Sequence, residues 1–322
     1  MTSETQQHVV SIGLSAAIVS VTDEMPSVLA VHHGGQPDAL PFGPFDPLAH
    51  RTLESGLRSW VKEQTGLDLV YTEQLYTFGD RGRHLVTAGE GLRVVSVGYL
   101  ALSRASKDGC VPGTLWRNWY HYFPWEDWRS GKPVIIDDVI SAALPKFVAD
   151  ASTRTDRQKR RERAWLAFGL DGSAWDEERV LERYELLYEA GLVEEAVRDG
   201  RIAGLHVTTR LGTPMLFDHR RILATAISRL RGKMKYRPVV FELLPPTFTL
   251  LELQRTVEAI SGIRLHKQNF RRLVAEQGLV EGTGKFTRIS RGRPAELFSF
   301  RREVLSERQA PGVRLGVRRS GV

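Results

Sequence analysis

Lys267, Gln268, Asn269, Arg271 and Arg272, with His266 just before them, form a short run of side chains suited to reading nucleic acid. Asn and Gln pair bidentately with adenine and Arg with guanine, while Lys or Arg holds phosphates. Downstream, Lys285, Arg288, Arg291 and Arg293 punctuate a stretch rich in Gly and Arg. Cations spaced this way track a phosphate backbone or enter a minor groove.

These residues need elements to present them. Thr249 and Glu252 have capping-box spacing, with Phe248 as the hydrophobic staple, so a helix starts there. Leu253, Val257 and Ile260 give it an apolar face, and Gly262 supplies a left-handed stop. A second helix is expected over about 266–277, closed by Gly278, with Phe270, Leu273 and Val274 turned onto the first. Its other face carries the polar and basic run. Two strands within 279–300, joined by the Arg-rich loop, complete a winged helix-turn-helix. The competing reading is a winged helix used for protein contact. Charge segregation weighs against it. Residues 226–322 hold 20 Lys and Arg against eight Glu and no Asp, or +12, within a chain of net charge +7, which leaves −5 for residues 1–225. A basic module joined to an acidic body fits a polyanion-binding domain beside a regulatory one.

The 322-residue length favours two or three domains, and 42% hydrophobic with 26% charged residues is ordinary for a soluble globular protein. No apolar run is long enough to span a bilayer, and residues 1–8 lack a signal pattern. One cysteine, Cys110, rules out a disulfide framework and a Cys-cluster zinc site. The expected setting is cytoplasmic, with no membrane partner. Residues 9–21, 27–32 and 93–102 read as strands, and 48–64 as a helix with Leu53, Leu57, Trp60 and Val61 on one face. Trp116, Trp119, Tyr120, Tyr122, Phe123, Trp125 and Trp128 read as buried core rather than as a base-stacking platform. A basic run at 157–163 reads as a solvated helix face, and 176–190 as a helix. The histidines His32, His33 and His84 show no metal-ligand spacing.

Residues 40–45 followed by Leu53–Leu67 resemble a Nudix box, in which a Gly loop leads to a helix whose glutamates hold divalent metal for pyrophosphate hydrolysis. With Gly66 aligned, Ser59 stands where that family has Arg, Trp60 where it has Glu, and Gln64 where it has the last Glu. Glu63 alone matches, and Glu54 lies on the same helix but is not one turn from it. One carboxylate cannot build a multi-metal phosphate site. The expectation is therefore a Nudix fold that has lost hydrolysis and kept a ligand pocket, with no catalytic residues, no bound metal and no required cofactor.

The combination resembles the Nudix-related transcriptional regulators of NAD metabolism, the NrtR-like family, through residues 73–83, 94–102, 230–236 and Asn269-Phe270-Arg271-Arg272. The additional length at 130–210 and the degenerate box resemble the NadQ-type branch, repressors of NAD-biosynthesis genes. The resemblance implies an α+β chain: a Nudix-like α/β/α sandwich at 8–128 for effector sensing, a helical insertion and linker at 129–215, a DNA-binding winged helix-turn-helix at 216–302, and a basic tail at 303–322. It implies a homodimer on palindromic double-stranded operator DNA, with a small NAD-related nucleotide (ADP-ribose, NAD or ATP) as effector. Effector contacts are expected from Arg81 and Arg83 to a pyrophosphate, from Tyr76, Phe78 and Tyr99 to a base or ribose, and from Arg58 and Glu63 on the pocket helix. The alternative is an active Nudix pyrophosphatase for ADP-ribose-like substrates with an accessory winged helix. A further reading of residues 80–83 is a plain charged turn, with the aromatics as strand core.

Overall fold

The computed structural model describes residues 10–32, 34–80, 93–104, 111–202, 211–287, 294–307 and 309–313. Its centre is a six-stranded mixed sheet with strand order β4-β5-β1-β2-β6. The strands are β1 (Val10–Thr22), β2 (Met25–Val31), β3 (Phe42–Pro44), β4 (Tyr71–Phe78), β5 (Arg93–Leu102) and β6 (Thr114–Asn118). β1 runs parallel to β5 and antiparallel to β2, and its first half also pairs with the short β3. The length of β1 matters because it serves two neighbours along one edge. Strands β3 and β6 were not marked by the sequence pattern, β3 being three residues of a Gly-Pro loop.

Each face of the sheet buries a different apolar set. Leu14, Ile18, Leu29 and Val97 pack beneath α1 (Leu53–Thr65) through its Leu57 and Val61. The opposite face meets α6 (His219–Met234), whose Ile222, Leu223, Ile227 and Leu230 are fully buried. A sheet between two helical layers is the expected α/β/α sandwich, but its second layer, α6, lies within 216–302, the stretch the sequence assigned to the winged helix, and not within 8–128. The α1 helix starts at Leu53 because Thr52 caps the Ser55 amide and Ser55 caps back, which excludes the expected turns at 48–52. Gly66, at φ 71°, closes it.

Between β6 and α6 the chain adds helices α2 (Ser141–Ala149), α3 (Arg154–Phe168), α4 (Val180–Glu189) and α5 (Glu194–Arg198), preceded by a π-turn at Ile136–Ile140. The aromatic cluster is core: Trp119, Tyr122, Phe123 and Trp125 have no exposed surface. The run at 157–163 lies on exposed turns of α3.

The C-terminal unit contains α7 (Leu250–Ser261), α8 (Lys267–Gln277), β7 (Val280–Phe286) and β8 (Glu296–Phe300). Phe248 pairs with Phe298 through reciprocal backbone hydrogen bonds of 2.9 and 2.8 Å, adding a third short strand. Residues after 303, expected as a basic tail, begin differently. A short helix α9 (Val304–Glu307) buries Val304, and Val313 is buried with its amide donating to the Met234 carbonyl at 2.7 Å. Residues 314–322 lie outside the described set. Among the described residues no helix is long and apolar enough to cross a membrane.

Candidate nucleic-acid interface and sensor faces

Helix α7 forms as its sequence dictates. Thr249 Oγ1 accepts from the Glu252 amide, and Glu252 returns the bond to the Thr249 amide at 2.6 Å. Gly262 ends it at φ 76°. The turn into α8 is fixed by a residue that the sequence reading did not single out. Glu258 accepts from the Leu265 amide at 3.0 Å, from Arg264 at 2.7 Å and from Gln254 at 2.9 Å, while Gln254 also donates to the Leu265 carbonyl. Burial pushes the Glu258 carboxyl up, but these donors outweigh it and hold it below its ordinary range. The signal available in sequence was only a Gln-x-x-x-Glu spacing.

That turn aims α8. Phe270 and Val274 are buried against α7, each worth roughly 1.5–3 kcal/mol on burial. The opposite surface presents Lys267, Gln268, Asn269, Arg271 and Arg272, all exposed. Arg272 lies 3.9 Å from Glu276, a loose and solvated pair. His266 occupies the N-cap position without a side-chain capping bond, so its side chain leaves the first amides of α8 uncapped, an arrangement that favours anions. On the wing, Lys285 and its neighbour Phe286 are exposed, and Gly284 at φ 70° bends β7. Arg288, Arg291 and Arg293 lie outside the described residues. The expected nucleic-acid residues within the described set thus lie on the free surfaces of α8 and β7.

The sensor residues are divided differently from expectation. Phe78 packs toward α6, with the Arg221 guanidinium 5.3 Å from its ring centroid. Tyr99 packs toward α1 and donates to Gln74 Oε1 at 3.3 Å. Tyr76 is exposed and lines a cavity of about 400 Å³ with Arg229, Gly232 and Tyr236 on the α6 side. Tyr76, Phe78 and Tyr99 therefore do not flank one pocket, and the last two are core. The cause is a register irregularity in β4 between Gln74 and Thr77, which breaks the alternation of side-chain faces. Arg58 is committed to Glu54 at 2.8 Å, to Thr72 at 3.0 Å and to the Leu69 carbonyl. Glu63 is exposed on α1. Arg81 and Arg83 lie outside the described residues.

The degenerate box positions are occupied structurally. Gln64 clasps the Phe42 backbone, accepting from its amide at 3.1 Å and donating to its carbonyl at 2.6 Å. Trp60 donates to the Pro44 carbonyl at 2.8 Å and lies so close to Gly43 that a Cβ there would collide with the indole. A Mg²⁺ ion needs several hard oxygen ligands, and an indole and a backbone-bound amide supply none. Among the described residues no group of three or more His, Cys, Asp or Glu is placed to hold a metal ion.

Two further clusters join the parts. Glu126, fully buried, receives Arg183 from α4 and Arg231 from α6. Asp38 receives Tyr122 at 2.7 Å, Arg117 at 3.2 Å and His32 at 3.0 Å. Burial raises the Asp38 carboxyl, but those three partners lower it further, so it stays below the usual carboxylate range.

The fold is thus that of a Nudix-type sandwich joined to a winged helix. Residues 240–300 match the family model described as the NrtR DNA-binding winged helix domain. A curated relative, the ADPR responsive transcriptional repressor NtrR of Acinetobacter baylyi, is 43% identical over 86 residues, which cover 27% of this chain and 34% of that protein. The match therefore spans about a third of the curated relative's length. In fold, the chain is similar to Shewanella oneidensis NrtR complexed with a 27mer DNA, with a TM-score of 0.52 and 22% identity over 93% of this chain and 96% of that one. It is also similar to a MutT/nudix family protein from Enterococcus faecalis, with a TM-score of 0.50 and 16% identity over 93% and 90% of the two chains.

Proposed function

We propose that this chain is a ligand-responsive transcriptional repressor of NAD metabolism genes, acting as a homodimer on a palindromic operator. The observation that carries the reading is the α8 surface. Five exposed polar or basic side chains stand on a helix whose angle is fixed by the Glu258 turn. Residues on the first turns of such a helix meet base edges in a major groove, and Lys285 on the wing meets a backbone phosphate. The match of residues 240–300 to a DNA-binding winged helix supports the same reading.

The effector is an NAD-related nucleotide, with ADP-ribose the first candidate because the curated relative is described as ADPR responsive. Trp60 and Gln64, in place of carboxylates, support sensing rather than hydrolysis. Arg81 and Arg83 remain the residues proposed for the pyrophosphate. Ligand acts by population shift, favouring one arrangement of the two winged helices over another.

The test titrates the purified protein on DNA from upstream of its own gene cluster at two salt concentrations, with and without ADP-ribose. Saturable binding that falls steeply with salt and responds to ADP-ribose is expected. Binding no tighter than to unrelated DNA of equal length would overturn the repressor reading.

A further inference from the structure

We propose that the groove between α2 and α3 is a second small-molecule site, for a planar organic monoanion such as an aromatic carboxylate. The cavity measures about 850 Å³, within the usual range for small-molecule pockets. It lies in the inserted helices, away from both sheet faces and from α8. Its apolar wall comes from Leu144, Val148, Ala164 and Leu170. Trp165 adds a flat indole, over which the Arg161 guanidinium sits 4.0 Å from the ring centroid. A planar ring can stack against that pair.

The cations of α3 divide their work. Arg160 donates to the Phe147 carbonyl at 2.7 Å and covers its ring, and Arg163 pairs with Glu189, so both fasten the helix to its neighbours. Arg157 and Arg161, one turn apart, line the groove instead, and neither forms an ion pair among the described residues. At one end of the groove Lys132 is already neutralised by Asp137 at 2.5 Å. Counting Lys132, Arg157 and Arg161 against Asp137 and Asp171, the lining carries +1. One carboxylate balances that charge, whereas a pyrophosphate would leave excess negative charge in a half-apolar site.

A polar group is also left waiting inside. Among the described residues the Ser141 hydroxyl is buried without a hydrogen-bond partner, on the first turn after the π-turn at Ile136–Ile140. Pro145, four residues on, has no amide hydrogen to offer the Ser141 carbonyl. An oxygen-bearing ligand in the groove would satisfy the hydroxyl.

The experiment titrates the full chain with 2-naphthoate and with its neutral analogue 2-naphthamide by calorimetry. We expect one saturable site per chain for the acid. About tenfold weaker binding is expected for the amide and for the double variant R157Q/R161Q, as loss of charge-assisted hydrogen bonds implies. Lys159→Gln, on the same helix but off the groove, should bind as wild type does. No saturation in the millimolar range, equal affinity for acid and amide, or an unaffected double variant would each overturn the site. Sedimentation of R157Q/R161Q as a smaller species than wild type would assign the face to a second copy and overturn it too. None of these outcomes depends on α8 binding DNA.

Discussion

Glu126 Oε2 accepts a 2.5 Å bond from Arg231 Nη1, although the two residues are 105 positions apart and both are fully buried. Arg231 also donates to the Ile260 carbonyl at 2.8 Å, in the last turn of α7, and Arg183 holds the other oxygen of Glu126 at 2.5 Å. The sandwich, the inserted helices and the winged helix thus meet at one carboxylate.

Replacing Glu126 by Gln should leave two buried guanidiniums without their counter-charge, and breaking such a pair typically costs about 3–5 kcal/mol. The prediction is a large drop in the denaturation midpoint of Glu126→Gln. A loss below about 1 kcal/mol would mean that water or another acid compensates.

The Glu258 turn makes a pH prediction. Its carboxyl is held below the ordinary value of 4.5, so its stabilisation is fully present above that value. It is lost as pH falls through the depressed folded value, because protonation removes the negative charge that Arg264 and the Leu265 amide stabilise. Glu258→Gln should therefore be less stable than wild type at pH 7 by about 1–3 kcal/mol. The gap should narrow as both proteins are titrated from pH 5 to pH 3, followed by urea denaturation. A gap independent of pH would remove the charge from the explanation.

On α8, Arg271→Ala or Arg272→Ala should weaken operator binding. Loss of a base contact costs about 1–3 kcal/mol and relaxes specificity at one base pair; loss of a phosphate contact lowers the salt slope by about 1 instead. Gel-shift titrations at several salt concentrations separate the two, and unchanged binding in both variants would take α8 out of the interface.

Arg81→Ala should blunt the response to ADP-ribose while leaving operator affinity intact, measured as the change in DNA affinity on adding nucleotide. A full response would locate the pyrophosphate contact elsewhere.

Wild-type protein supplied with Mg²⁺ and ADP-ribose should release no AMP above the buffer rate. Robust turnover would favour the pyrophosphatase reading and would require carboxylates other than those at the Trp60 and Gln64 positions to hold the metal.

The winged helix was legible because its signals are local. The Thr249–Glu252 box, Gly262 at φ 76° and Gly278 at φ 55° set boundaries that depend on no distant partner. The two faces of the sheet were less legible. One irregularity in β4 sends Tyr76 and Phe78 to the α6 side while Gln74 meets Tyr99 on the α1 side, and no spacing in the sequence marks where the alternation breaks. The buried ionic contacts were hidden for a different reason. Glu126, Arg183 and Arg231 look like surface residues until tertiary packing brings them together, and Arg220 with Glu195 repeats the case at 3.1 Å. The turn around Glu258 falls between these extremes, since its partners are near in sequence but its burial is not.

The last turn of α7 is bolted to the segment that follows β6. Tyr120 donates to the Ala259 carbonyl at 2.7 Å, the Trp128 amide donates to the Gly262 carbonyl at 2.7 Å, and a Cβ on Gly262 would strike the Glu126 carbonyl. A winged helix clamped this way cannot swivel on its own body without breaking buried bonds. If two such chains pair on a duplex as proposed, the reach of each winged helix would be dictated by how the two bodies abut, so that a small roll at their contact would be carried rigidly to α8.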